Sequence, residues 1–299
     1  GCADPALLCD DVNEYTDFIP RVILTYRPFE GATTYASYSY SSILGLNTQA
    51  AFISTVAPGV IPPSQVAAIG KYTSPQENTQ YELGWKQTFD NWAFTLAFFD
   101  VDWKNQPFAS VIVLPTGGTE AFRNAGSSEY QGFDLEFQGQ PTDWLNLVGT
   151  LAYTDARMTE FSERGSNQSA VLGSGVFSVV ADGQRPRNTP VWTASLSPTI
   201  MGSVGDRDWF IRSDWTYHSS TFATYTGDIK APDRFRINAR AGIDLNESTS
   251  LELWAKNLTN NKTLNLSGGT TSFGPQGSRK AFNQPYQRRE IGVSLRANF

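Results

Sequence analysis

The sequence predicts an all-β fold, an antiparallel transmembrane β-barrel, from three observations. Segments in which apolar and polar residues alternate recur along the chain, as in strands whose two faces meet different surroundings. Short and long connections alternate between these segments. The last segment alternates without a break from Ile291 and stops on an aromatic residue, Phe299. Bacterial outer-membrane barrels combine these features, with the apolar face against lipid and the polar face toward the lumen.

The composition is compatible with a barrel and argues against other classes of protein. The 299 residues include 19 Phe, 12 Tyr and 8 Trp, and the mean hydropathy is -0.33. No run approaches the roughly 18 apolar residues of a membrane-spanning helix, as expected for barrels, whose lumen residues dilute every strand. The net charge of -6 and the lack of a basic stripe argue against nucleic acid as a partner.

Five hairpins and a final strand are predicted in order along the chain. In each hairpin, two strand segments flank a short connection rich in Gly, Asp and Asn, which tolerate the dihedral angles of tight turns. The eleven predicted strands are 20–28 and 32–43, 79–88 and 92–104, 128–138 and 144–157, 190–201 and 208–219, 232–245 and 249–258, and finally 286–299.

The alternation fixes which way several of these strands face. In the fifth strand, Phe133 and Leu135 oppose Asp134 and Glu136. In the ninth, apolar residues from Phe235 to Leu245 oppose three charged ones. A charged side chain on the lipid face costs about 2–4 kcal/mol near the bilayer midplane, and a register slip of one residue exchanges the two faces. The charged residues of the ninth strand must therefore face water: Arg236, Arg240 and Asp244.

The long connections all fall between hairpins, so they meet at one end of the predicted sheet. They cover about 44–78, 105–127, 158–189, 220–231 and 259–285, and hold most of the Gly, Pro, Ser and Thr that strands disfavour. Outer-membrane barrels have short periplasmic turns and long extracellular loops. With the short turns in the periplasm, odd-numbered strands descend, and Phe299 ends on the periplasmic side.

The number of strands predicts that residues 1–299 are one part of a larger barrel. Bacterial single-chain barrels have an even number of strands, and the sequence gives eleven. An open sheet would also leave two rows of backbone groups unpaired in hydrocarbon, each group costing several kcal/mol. We therefore expect preceding strands that are absent from these 299 residues.

Six sequence blocks, in order, resemble TonB-dependent outer-membrane receptors. They are Asn78–Lys86 with Phe98–Lys104, Asn124–Gly126 with Gln131–Glu136, Leu151–Ala156, Pro190–Thr193, Leu253–Thr259, and the ending on Phe299. The resemblance implies the C-terminal half of a single 22-stranded barrel, with an N-terminal plug domain and the first strands absent. It implies uptake of a scarce ligand, a ferric siderophore above all, into the periplasm, powered through TonB.

The same resemblance implies a location and a set of partners. The location is the outer membrane of a Gram-negative bacterium. The partners are TonB, through a plug segment absent here, outer-membrane lipid, a small-molecule metal chelate, and the barrel-assembly machinery through the C-terminal strand. The residues expected to carry that assembly signal are Ile291, Val293, Leu295 and Phe299. Ala297 departs from the family, in which an aromatic residue is frequent at that place.

Arginines of the lumen and loops are the candidate ligand contacts. Guanidinium groups suit anionic or carboxylate-bearing ligands such as iron chelates, and the candidates are Arg236, Arg240, Arg185 and Arg187. Lumen arginines also pair with lumen acids or contact a plug, and that alternative stays open. Cys2 and Cys9 are either a loop disulfide of an oxidising compartment or two free thiols.

Catalysis, cofactors and bound metal find no support in the sequence. The single histidine, His218, precedes Ser219, but adjacent residues of a strand point to opposite faces and make poor partners. We expect a protein that is not an enzyme. The alternatives to energy-coupled uptake are a passive porin, the translocator barrel of an autotransporter, and a soluble β-sandwich.

Overall fold

One antiparallel sheet contains most of the structured chain. A computed structural model describes residues 14–46, 73–114, 117–164, 178–180, 182–223, 227, 230–263, 270–272, 279–281 and 287–298. Within these residues the chain forms a 12-stranded sheet and two separate two-stranded hairpins. This part of the chain contains no helix that is long and apolar enough to cross a membrane.

Eleven strands follow one another in the sheet and match the eleven predicted segments, which confirms the predicted fold class. Their order is β1-β2-β3-β4-β5-β6-β8-β9-β12-β13-β16, and β7 pairs with β6 beside this path. The strands are β1 Arg21–Tyr26, β2 Ala32–Ile43, β3 Gln76–Thr88, β4 Trp92–Leu114, β5 Gly117–Thr142, β6 Leu145–Arg164, β7 Ser178–Val180, β8 Trp192–Val204, β9 Arg207–His218, β10 Thr221–Phe222, β11 Lys230–Ala231, β12 Arg234–Asn246, β13 Thr249–Lys256, β14 Thr270–Ser272, β15 Arg279–Ala281 and β16 Glu290–Ala297.

The short turns lie where the sequence predicts them. Residues 27–31, 89–91, 143–144, 205–206 and 247–248 join neighbouring strands at one end of the sheet. Gly31 and Gly205 have φ values of 75° and 62°, a region that favours glycine because it lacks a Cβ. The amide of Ala32 donates to the carbonyl of Phe29 over 3.1 Å and closes the first turn.

The prediction of a loop over 105–127 is wrong. There β4 and β5 continue as one long hairpin, and Leu114 pairs with Gly117 at its tip. The Gly and Pro of this segment lower its intrinsic strand tendency, but pairing begun in the sheet carries on across irregular register. For the same reason β6 continues to Arg164 and pairs with β7, and short hairpins (β10–β11 and β14–β15) occupy parts of the predicted loops 220–231 and 259–285.

One face of the sheet carries a continuous apolar row across its central strands. Cross-strand partners lie on the same face of a sheet, and the register aligns one apolar row across five strands. Aromatic rings of this row pack in sequence, with centroids 6.2, 6.0 and 4.8 Å apart between successive members. The row is Leu83, Phe98, Phe133, Tyr153 and Trp192.

The opposite face of the sheet is polar. Few apolar side chains of the described residues are buried. The predicted orientation of the ninth strand is confirmed, because the register places Arg236, Arg240 and Asp244 on the face of Asn238 and Ser250. Among the described residues the buried apolar side chains are mostly small, whereas large ones such as Leu253 remain exposed on the apolar face. This arrangement differs from a β-sandwich, which buries its apolar faces between two sheets.

The path through the sheet ends at β1 and β16. Within the described residues each of these strands has one hydrogen-bonded neighbour, β2 and β13 respectively. All six residues of β1 are exposed, and so are seven of the eight residues of β16.

Aromatic rings cover glycines on the neighbouring strand at many places in the sheet. In each case the ring belongs to the residue that pairs with the glycine, and a Cβ built on the glycine would lie between 2.2 and 3.0 Å from the ring. Such pairing compensates for the missing side chain of a strand glycine. The pairs are Tyr35–Gly84, Trp92–Gly139, Phe99–Gly132, Phe137–Gly149, Trp209–Gly202, Phe210–Gly242 and Trp254–Gly292.

Gly292→Ala is expected to destabilise the whole protein by about 1–3 kcal/mol, because the new methyl group would displace the Trp254 ring. A Cβ at this position would lie 2.2 Å from that ring. Urea unfolding in detergent measures the change. In a Trp254→Leu background the same substitution should cost little, as a double-mutant cycle requires. An equal cost in both backgrounds would refute this cause.

Candidate ligand-binding face

Charged side chains concentrate on the polar face of β9, β12, β13 and β16. Because side chains alternate along a strand and the register is antiparallel, every second residue of these strands reaches this face. Asn238 pairs with Asp214, Arg240 with both Arg212 and Trp254, and Gly242 with Glu252. The register thus collects basic, acidic and aromatic groups from three strands.

Asp214 is the most constrained acid of this region. Its carboxylate accepts hydrogen bonds from Ser197 Oγ at 2.7 Å and from Arg212 Nε at 2.8 Å. Both members of the Arg212–Asp214 pair are about one-third exposed, so the pair contributes less than about 1 kcal/mol to stability. The main effect of the pair is to hold the Asp214 carboxylate in place on the face that also carries Arg240.

A cavity of about 500 Å³ opens beside this pair, within the size range of small-molecule sites. We call it the arginine groove. Neither Arg236 nor Arg240 forms an ion pair with a described carboxylate, in contrast to Arg212. Both guanidinium groups can therefore donate hydrogen bonds to an anionic ligand. The groove is lined by Asp214, Arg236, Asn238, Ala239, Arg240, Glu252, Trp254, Ala255, Lys256, Gln287 and Ser294.

The other two candidate arginines lie elsewhere, on the segment that returns from β7 to β8. This segment is fixed to β6 by two hydrogen bonds, from the Met158 amide to the Gln184 carbonyl and from the Gly183 amide to the Met158 carbonyl. Arg185 Nη2 lies 3.8 Å from Asp155 Oδ1. Arg187 lines a second cavity of about 370 Å³. The structure therefore brings Arg236 and Arg240 together and does not place Arg185 or Arg187 in their groove.

A buried asparagine, Asn257, is a structural residue that the analysis of the sequence did not single out. Its backbone φ of 48° lies in the left-handed region that Asn tolerates better than most residues. The backbone N–H of Asn257 donates to Asn238 Oδ1. Its side-chain Nδ2 donates to the carbonyls of Asn261 and Gln287, and its Oδ1 accepts from the backbone N–H of Asn261. All four hydrogen bonds are within 3.0 Å. Asn257 thus joins β12 and the residues after β13 to the segment that precedes β16.

The single histidine is not paired with its neighbouring serine. His218 lies on the polar face opposite Thr193 and Arg234. Ser219 Oγ instead accepts the backbone amides of Val191 and Trp192, at 2.9 and 3.0 Å. In the part of the chain that the structure describes, this geometry provides no Ser–His pair for nucleophilic chemistry.

The C-terminal strand presents its apolar side chains on the apolar face. Ile291, Val293 and Leu295 pair with Ala255, Leu253 and Leu251 of β13. Each of the three is at least 65% exposed. Phe299 lies outside the described residues, as do Cys2 and Cys9. A role of this strand in assembly stays a prediction.

Residues 9–258 match the family model described as TonB dependent receptor-like, beta-barrel. The metal-pseudopaline receptor CntO of Pseudomonas aeruginosa is 28% identical over 238 residues, which are 77% of this chain and 29% of that protein. The probable TonB-dependent siderophore receptor PiuA of Acinetobacter baumannii is 25% identical over 257 residues, or 83% and 31%. The chain therefore spans about three-tenths of the length of these curated relatives.

Solved structures share the fold. The crystal structure of the siderophore receptor PiuA from Acinetobacter baumannii matches with a TM-score of 0.65 at 20% identity. The match covers 92% of this chain and 35% of the PiuA chain. The crystal structure of the ferric yersiniabactin uptake receptor FyuA from Yersinia pestis has a TM-score of 0.68 at 13% identity, covering 94% and 37%. At these identities the likeness concerns the fold alone.

Asn257→Gly is expected to lower the stability of the whole protein by about 2–3 kcal/mol. The substitution removes the hydrogen bonds of the side chain and leaves buried backbone groups without a partner. Glycine keeps the positive φ without strain, so the loss reports the hydrogen bonds. Asn260→Gly is the matched control, because Asn260 has a similar φ of 49° and is only partly buried. Thermal unfolding in detergent compares the two. Equal shifts would show that Asn257 has no special role.

Proposed function

The chain belongs to the TonB-dependent receptor-like β-barrel family, and from this premise we propose that it is the C-terminal part of an outer-membrane receptor barrel. The whole receptor takes up a scarce small-molecule ligand, a metal chelate, into the periplasm with energy supplied through TonB. The observation that carries this proposal is the match of the family over most of the sheet, together with a polar face that holds the arginine groove.

The two ends of the sheet support a larger barrel. Strands β1 and β16 each have one neighbour among the described residues, and exposed backbone edges are costly in lipid. Preceding strands would close the barrel between these edges, giving 22 strands in all, and an N-terminal plug domain would fill the lumen. The share of the relatives' length that the chain spans is compatible with this division.

The two faces of the sheet support placement in the outer membrane of a Gram-negative bacterium. The apolar face contacts lipid, the short turns lie in the periplasm and the long hairpins extend outward. TonB acts through a segment of the plug. The barrel-assembly machinery reads the last strand through Ile291, Val293 and Leu295, with Phe299 at its end.

The ligand that suits this face is an anionic metal chelate, with a ferric siderophore as the leading candidate. One relative is named a receptor for metal-pseudopaline and another a siderophore receptor. Arg236 and Arg240 supply guanidinium groups for carboxylate or other anionic oxygens. Arg185 and Arg187 are proposed as contacts nearer the outer loops.

Uptake in cells tests the proposal against its alternatives. The measurement is accumulation of radioactive iron from a panel of ferric chelates, in strains with and without the gene and with and without TonB. We expect one chelate whose uptake requires both. Uptake that requires the gene but not TonB would identify a passive porin, and a secreted passenger domain on the protein would identify an autotransporter.

Replacing Arg236 and Arg240 together by Gln is expected to weaken binding of the transported chelate by at least about tenfold, since two charge-assisted contacts are lost. Calorimetry on the purified whole receptor measures the affinity. Arg207→Gln, beside the turn at 205–206, is the control and should leave it unchanged. Equal affinities of the double variant and the wild type would show that these arginines serve the barrel or the plug instead.

A further inference from the structure

A second cavity on the polar face, distinct from the arginine groove, contains an unsatisfied hydrogen-bond donor. Gln106 is 7% exposed and lines the cavity of about 370 Å³, and its Nε2 has no partner. Its Oε1 accepts a hydrogen bond of 3.0 Å from Ser128 Oγ, and Ser128 is fully buried. A buried amide group without a partner is costly, so its presence requires an explanation.

Two opposed β-bulges turn Gln106 toward this cavity. Trp103 pairs with Ser128 and Gln106 with Gly126, so two residues of β4 stand opposite one residue of β5. Pro107 then pairs with Asn124, which places an extra residue in β5. Between the two irregularities Gln106 joins the face of Ser128, opposite to the face that strict alternation from Trp103 would give it.

A third bulge lies at the same level in β6. Ser127 pairs with Glu160 and Ser128 with Met158, so Thr159 is the extra residue. Bulges are over-represented at barrel rims and beside functional sites, where they re-aim a side chain or end the strand pairing. Three of them around one unsatisfied amide indicate that the backbone is arranged to present this group.

The walls of the cavity indicate what the amide meets. Trp103 and Tyr130 contribute aromatic rings, and Pro107, Met158 and Pro186 contribute apolar surface. None of the described residues that line it is acidic, so a bare cation would find no carboxylate ligand there. Aromatic walls favour a flat guest, and the amide hydrogen requires an acceptor.

We propose that this cavity is a binding subsite for a planar organic group bearing an oxygen acceptor, and that Gln106 Nε2 donates a hydrogen bond to that oxygen. The inference rests on the proposed function, because the planar group would belong to the organic part of the transported chelate. The subsite thereby selects the chelator, whereas the arginine groove responds to the charge of the complex.

The test measures binding to the purified whole receptor by calorimetry with two ferric probes. One is the complex of 2,3-dihydroxybenzoate, which is planar and rich in acceptor oxygens, and the other is the complex of acetohydroxamate, which has such oxygens but no ring. Gln106→Met is expected to weaken binding of the dihydroxybenzoate complex by about tenfold, the loss of a hydrogen bond to a charged group. Trp103→Ala is expected to weaken this complex by a larger factor than the acetohydroxamate complex.

Controls separate binding from folding. Gln138→Met makes the same chemical change lower on the polar face of β5 and should leave both affinities unchanged. Gln106→Asn keeps the amide but withdraws it by one methylene, and should give an intermediate loss with an unchanged unfolding temperature. The Gln106→Met, Ser128→Ala double variant leaves no hydroxyl without its partner, and should bind like Gln106→Met alone.

Two results would overturn the subsite while leaving the proposed function intact. One is equal affinity of wild type and Gln106→Met for the dihydroxybenzoate complex, as expected if Gln106 only holds water. The other is failure of the wild type to bind that complex in a receptor whose TonB-dependent uptake of another chelate is established. If no chelate showed TonB-dependent uptake, this result would instead refute the proposed function, and the subsite with it.

Discussion

Complete pairing of backbone hydrogen-bonding groups is the constraint on which this structure depends. An unpaired amide or carbonyl in hydrocarbon costs several kcal/mol, more than most single side-chain interactions return. The ladder that runs from β1 to β16 meets this requirement on both sides of each strand between these two. Once the ladder is set, the period of two determines which side chains lie on the apolar face and which on the polar face, so the apolar row and the arginine groove follow from one register.

The parts of the fold that could be predicted are those governed by this period. The nine residues from Phe235 to Ile243 carry enough contrast between faces to fix their own orientation. Gly31 marks its turn because glycine tolerates the positive φ that the turn requires. The extension of β4 to Leu114 could not be predicted, because composition reports local tendency while pairing depends on the partner strand. Gln106 was missed for a related reason, since a bulge is a mismatch between two strands and has no period within either one.

The candidate ligand-binding face was predictable in its chemistry but not in its grouping. The charges of Arg236 and Arg240 on a strand with an apolar opposite face already indicated a water-facing position. Their separation from Arg185 and Arg187 depends on how the segment before β8 is held against Met158, a long-range contact. Asn257 likewise gave only a local signal, a residue that tolerates positive φ, while its importance lies in partners up to 30 residues away.

The bulges in β4, β5 and β6 divide these strands into two zones that differ in the register of their backbone pairing. Below them the side chains alternate between the apolar and the polar face, so a shift of one position exchanges the two faces. At each bulge two residues of one strand stand opposite one residue of the next, so the backbone pairing above the bulges is offset from the pairing below them. A change in the length of the hairpin above the bulges therefore need not alter the register of the sheet below them.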